Sequence, residues 1–100
     1  MLSHAVYFSL KDNSQGAVAS LVASCREHLM GHPGAVSFQV GTCAPYDRHV
    51  NDSDWDVMLL IVFDSRATHD AYQVAPRHTQ FIAENATTWA KVRIFDADVE

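Results

Sequence analysis

Apolar and polar positions alternate from the start of the chain. His4, Val6, Phe8 and Leu10 share one parity while Ala5, Tyr7 and Ser9 hold the other, which predicts a strand over about Ser3–Leu10. The period then changes. Val18, Leu21, Val22, Cys25 and Leu29 recur at helical spacing behind a cap at Asn13 or Ser14, and Gly31 with Pro33-Gly34 stops that helix. Val36, Phe38 and Val40 alternate in a second strand. A polar, aperiodic loop over Ala44–Asp54 leads into a third strand with two apolar faces, Trp55, Val57, Leu59, Ile61 and Phe63 on one and Met58, Leu60 and Val62 on the other. Asp64-Ser65 opens a short helix through Tyr72, and Pro76 suits the first turn of another that carries His78, Phe81 and Ile82. A last strand is expected from about Trp89 to Asp96, with Val92 and Ile94 facing one way and Phe95 the other.

The order β-α-β-β-α-β is an α+β, ferredoxin-like pattern: a four-stranded antiparallel sheet with its helices on one face. Those helices cover one face only. Tyr7, Met58, Leu60, Val62 and Phe95 lie on the other, and a single copy would leave them in water. A homodimer that packs two such faces together is the expected remedy.

Composition narrows the function classes. The chain has 100 residues, room for a single domain over residues 1–100, and no apolar run near the ~20 residues of a membrane span. Its 12 acidic against 7 basic residues argue against a nucleic-acid or anionic-membrane partner. The polar N-terminal segment lacks the apolar stretch of an export signal, and two cysteines, Cys25 and Cys43, are too few for a disulfide framework, so a reducing, cytoplasmic setting is expected. The six histidines invite a search for chemistry. His28 and His32 are four apart, but Gly31 ends the helix between them, so a role at the helix C-terminus is expected rather than a metal site. His49 and His69 are expected in water, and no metal or cofactor is expected. Cys25 reads as a buried small apolar residue, and Lys91 and Arg93 as dimer-rim or solvated charges.

Several segments together resemble the stress-responsive A/B barrel domain of the dimeric α+β barrel superfamily: His4–Lys11, Pro33–Gly41, Asp54–Phe63, Ala71–His78 and Val92–Asp96. The Tyr-x-x-x-Pro-x-His stretch and the strand-one histidine are the most specific. The resemblance implies a homodimeric barrel. It includes a plant polyketide cyclase branch, the olivetolic acid cyclase type, which closes a poly-β-keto chain with a Tyr and a His. Tyr72 and His78 match that pair in type and spacing, and His4 matches a pocket histidine of the branch. A further pocket tyrosine of that branch is Cys25 in this chain.

The residues themselves outline a cavity. Val6, Phe8, Leu21, Cys25, Leu59, Ile61, Phe81, Trp89 and Val92 would line it around His4, Tyr72 and His78. Such a cavity suits a small carbonyl or polyketide-like compound, with His78 as base, Tyr72 as donor to the carbonyl oxygen and His4 as support. In the plainer reading, Tyr72 and His78 merely fix the helix break at Pro76 and His4 is a satisfied core residue. The wider superfamily adds a third possibility, a haem-binding or cofactor-free monooxygenase.

Overall fold

A computed structural model describes residues 1–100. Strand β1 spans Leu2–Leu10, and its core-facing residues Leu2, His4, Val6, Phe8 and Leu10 are all buried, as the alternation requires. Helix α1, Gln15–Leu29, starts where the Ser14 hydroxyl accepts from the Ala17 N–H at 3.3 Å. It stops at Gly31, whose φ of 80° would strain any L side chain. Its last carbonyls are met from outside the ladder: His32 donates to the His28 carbonyl at 2.7 Å, and Arg77 donates to the carbonyls of Glu27 and Met30 at 2.7 and 3.0 Å. The expected role of His28 and His32 at this helix end fits that geometry, and His28 also lies 2.5 Å from the Glu84 carboxylate.

Strand β2 covers Ala35–Thr42 and β3 covers Val57–Phe63. Helix α2, Arg66–Gln73, is capped by Ser65, and α3, Pro76–Asn85, begins on its proline. A single 3₁₀ turn over Ala86–Thr88 then feeds β4, Trp89–Asp98. The sheet order is β2-β3-β1-β4, antiparallel throughout, which is the ferredoxin-like arrangement. The core lies between the sheet and the helices, built around Phe63, Phe81, Leu29, Leu59, Ile61, Val57 and Cys25.

One strand boundary differs from the pattern-based expectation. The regular alternation of β3 begins at Val57, after a bend at Asp56, so Trp55 does not share the core face of Val57 and Leu59. Asp56 instead ties the chain to β1: its N–H donates to the Phe8 carbonyl and its carboxylate accepts from the Leu10 N–H, both at 2.7 Å. Trp55 packs edge-on against Tyr7 at 5.0 Å on the outer face. The polar loop before it reaches across to β4, where Lys91 and Arg93 pair with Asp54 and Asp52 at 2.6 and 2.7 Å. The outer face keeps an exposed apolar centre, with Phe95 57% exposed and Leu60 and Val62 half-buried. No helix is long and apolar enough to cross a membrane.

Candidate functional site

Helix α1 packs on β2 and β3 and closes the core on that side. On the other side, between β1–β4 and α2–α3, the layers part and leave a cavity of about 190 Å³. Val6, Phe8 and Leu59 form its floor, Phe81 and Trp89 one wall, and Val92, Ile94 and Ile82 its mouth. Those three mouth residues are 36–55% exposed, so the entrance is apolar. His4, Tyr72, Gln73 and His78 supply the polar groups. An apolar chamber with a few convergent polar groups is the ordinary form of a small-molecule site.

Each polar group is placed by its element. His4 sits on the inward parity of β1 and is 3% exposed. It pairs with Asp96 in the β1–β4 register, so the two side chains meet on the same face, Nδ1 to Oδ1 at 2.6 Å. A carboxylate only accepts, so the imidazole proton lies on Nδ1 and the lone pair on Nε2. Burial lowers the His4 pKa despite the opposing pull of Asp96. Tyr72, on the inner face of α2, is 2% exposed. Its ring lies 4.8 Å from His78, 4.9 Å from His32 and 5.9 Å from His4, centroid to centroid. Burial pushes its phenol pKa well above the ordinary 10, so Tyr72 keeps its proton and acts as a donor. His78, in the first turn of α3, is half-buried; desolvation, then the neighbouring His4, His32 and His69, lower its pKa below 6.5. It is therefore a neutral imidazole at pH 7, with a lone pair able to take a proton.

A family model for the stress-responsive A/B barrel domain matches residues 2–99. The chain belongs to that family. Its fold recurs in a protein of the same family from Mesorhizobium loti, with a TM-score of 0.82 at 18% identity, covering 99% of this chain and 96% of that one. A dimeric ferredoxin-like protein from Thermobifida fusca gives 0.79 at 17% identity, covering 98% and 90%. The hydroxynitrile lyase of Passiflora edulis gives 0.78 at 18%, covering 99% and 93%. No curated protein matches the chain by sequence.

Within this A/B barrel domain, the structure brings His4, Tyr72 and His78 to one cavity together with Val6, Phe8, Leu59, Phe81, Trp89 and Val92. Leu21, Cys25 and Ile61 do not line it. They are at most 2% exposed inside the core, because α1 lies over β2–β3 while the cavity opens over β1–β4. Burial pushes the Cys25 thiol up to about 12, so it stays protonated. His69 is also a correction: it is 8% exposed rather than solvated. Its Nε2 lies 3.2 Å from His4 Nδ1 and 2.9 Å from the Gln73 side-chain amide. The sequence holds a signal for it, since residue 69 is three before Tyr72 and must share its helix face. Leu29, Gln73, Ile82 and Ile94 are further lining residues that the pattern did not single out.

Proposed function

We propose that this A/B barrel domain binds a small carbonyl compound in the β1–β4/α3 cavity and moves a proton at the carbon next to the carbonyl. The observation that carries this is the convergence of an imidazole, His78, and a phenol, Tyr72, on one apolar chamber, where burial favours the neutral form of both. His78 takes the proton from carbon, the C–H electron pair moves into the enolate, and Tyr72 donates to the oxygen where the charge develops. Return of the proton from His78, or attack of the enolate carbon on an electrophile, completes the step. His4, fixed by Asp96, presents Nε2 as an acceptor beside them.

Size decides among ligands. A chamber of about 190 Å³ falls below the ~300–1,000 Å³ of drug-sized pockets, which favours a compact ketone or aldehyde over a long polyketide chain or a haem. The fold likeness to a hydroxynitrile lyase is consistent with lyase-type chemistry on this scaffold. We also propose that two copies pair through the outer sheet face, Tyr7, Met58, Leu60, Val62 and Phe95, as the dimeric fold relative and the uncovered apolar surface both suggest.

Trp89 walls the cavity and Trp55 lies on the opposite face of the sheet, so a Trp55→Phe variant reports on the cavity by fluorescence. Titration with a panel of small ketones and aldehydes is expected to change the Trp89 emission saturably. Emission that stays flat across the panel would overturn the binding site.

A further inference from the structure

At the edge of the cavity, three donor atoms from three elements converge. His4 Nδ1 of β1, His69 Nε2 of α2 and Asp96 Oδ1 of β4 all lie within 4.8 Å of one another. The proton count at this cluster is unusual. Gln73 donates to His69 Nε2 at 2.9 Å, so that nitrogen presents a lone pair, and the other ring nitrogen faces the Asp70 carboxylate at 3.7 Å. That lone pair accepts from the Gln73 amide, and the same nitrogen stands 3.2 Å from His4 Nδ1, whose proton goes to the Asp96 carboxylate at 2.6 Å. A cation that replaces the His4 proton and displaces the Gln73 amide can use all three donors at once.

We propose that His4, His69 and Asp96 form a binding site for a divalent first-row transition metal ion of the zinc type. Two imidazoles and one carboxylate are the donor set such ions prefer over magnesium or calcium. One edge is already at the required length: bonds of ~2.0–2.1 Å in a tetrahedral site set ligand atoms about 3.3 Å apart, and the two imidazole nitrogens stand at 3.2 Å. The His69–Asp96 edge lies within 4.8 Å and closes as the Asp96 side chain turns towards α2. The His4–Asp96 edge, at hydrogen-bond length, opens by less than about 1 Å on rotation of Asp96, whose side chain is 40% exposed on the edge strand β4. The Asp70 carboxylate, 3.7 Å from the far nitrogen of His69, is close enough to turn in and orient that ring once the histidine is a ligand. Entry is open as well: Asp70, Asp96 and Asp98 line a surface depression of about 360 Å³ against a single cation, Arg66, which is committed to Asp98. Binding releases one proton, from His4 Nδ1, for each ion bound.

The other histidines do not compete in this way. His28 and His32 are engaged at the end of α1, and His49 is exposed in the polar loop. The site shares His4 with the cavity but uses neither His78 nor Tyr72, and its readout is zinc binding rather than ketone binding or turnover, so the failure of one reading is distinguishable from failure of the other.

Zinc chloride titrated into the chelator-treated full chain, followed by calorimetry and by thermal melting, tests the site. One ion per chain, a raised Tm, and affinity at least tenfold weaker in both His69→Ala and the near-isosteric Asp96→Asn are expected, with His49→Ala unchanged. The site is overturned if zinc gives neither heat nor a Tm shift. It is equally overturned if His69→Ala and Asp96→Asn variants that melt cooperatively bind zinc as the unaltered chain does.

Discussion

Tyr72 sits among five other rings, those of His4, His32, Phe63, His69 and His78, so its phenol is held by packing and the proposed role falls to its hydroxyl alone. Tyr72→Phe keeps that packing and removes one donor. It is expected to cost about 10²–10³ in kcat with a small change in melting temperature, measured on whichever ketone the wild type turns over. As the proposed base, His78 would set the pH profile. The groups around it are His4, His32, His69 and the protonated Tyr72, and its pKa is lowered, so the reactive neutral form persists through neutral pH and is lost as pH falls through that lowered value. The acid limb of kcat/KM is therefore expected below pH 6.5; a midpoint above it would count against His78 as the base. Thiol labelling separates the two cysteines: Cys43, partly exposed, should react in the native protein, and Cys25, fully buried and with its thiol pushed up to about 12, only on unfolding. Tyr72 and His78 stood out in the sequence through the family resemblance of the stretch around Pro76, and both line the cavity. The sequence hid His69, whose neighbours Thr68 and Asp70 give it a solvated look, and it hid Asp96, whose role exists only through strand pairing with His4.

At the level of elements, most boundaries were legible because local signals agree with the packing: Ser14 caps α1, Pro76 starts α3, and the period of two in β1 marks its buried face. Trp55 shows where periodicity misleads. Alternation extended two residues past the true start of β3, and a one-residue irregularity there moves a side chain to the opposite face. Which lining residues face the cavity was hidden for a related reason. The stripe of α1 is apolar throughout, and only its position over β2–β3 sends Leu21 and Cys25 into the core instead of the chamber. The turn between α1 and β2 offers a direct test. Gly34 has a φ of 83°, and a Cβ there would collide with the Thr68 side chain at the start of α2. Gly34→Ala is expected to destabilise the fold by about 1–3 kcal/mol in chemical denaturation, since both the backbone and the α2 contact must yield. An unchanged midpoint would mean the turn is not held as described.

For the whole molecule, the sheet divides the labour. One face carries the core, the cavity and every histidine but His49; the other carries Trp55, Tyr7 and Phe95, with the polar loop pinned to β4 by two ion pairs. The two-faced apolar pattern of β3 already implied that something covers the second face. Leu60→Asp places a charge at its centre and is expected to convert a dimer to monomer, or to unfold it, in sedimentation equilibrium; a wild type that sediments as a monomer at micromolar concentration would contradict the pairing. The central claim, however, concerns the cavity, and hydrogen exchange at carbon reads it most directly. A small ketone such as cyclohexanone, incubated in D₂O with the protein and followed by NMR, should exchange its α-hydrogens faster than in buffer, and His78→Ala should remove at least nine-tenths of the acceleration while folding as the wild type does. Exchange no faster than in buffer, or equally fast with His78→Ala, would contradict it.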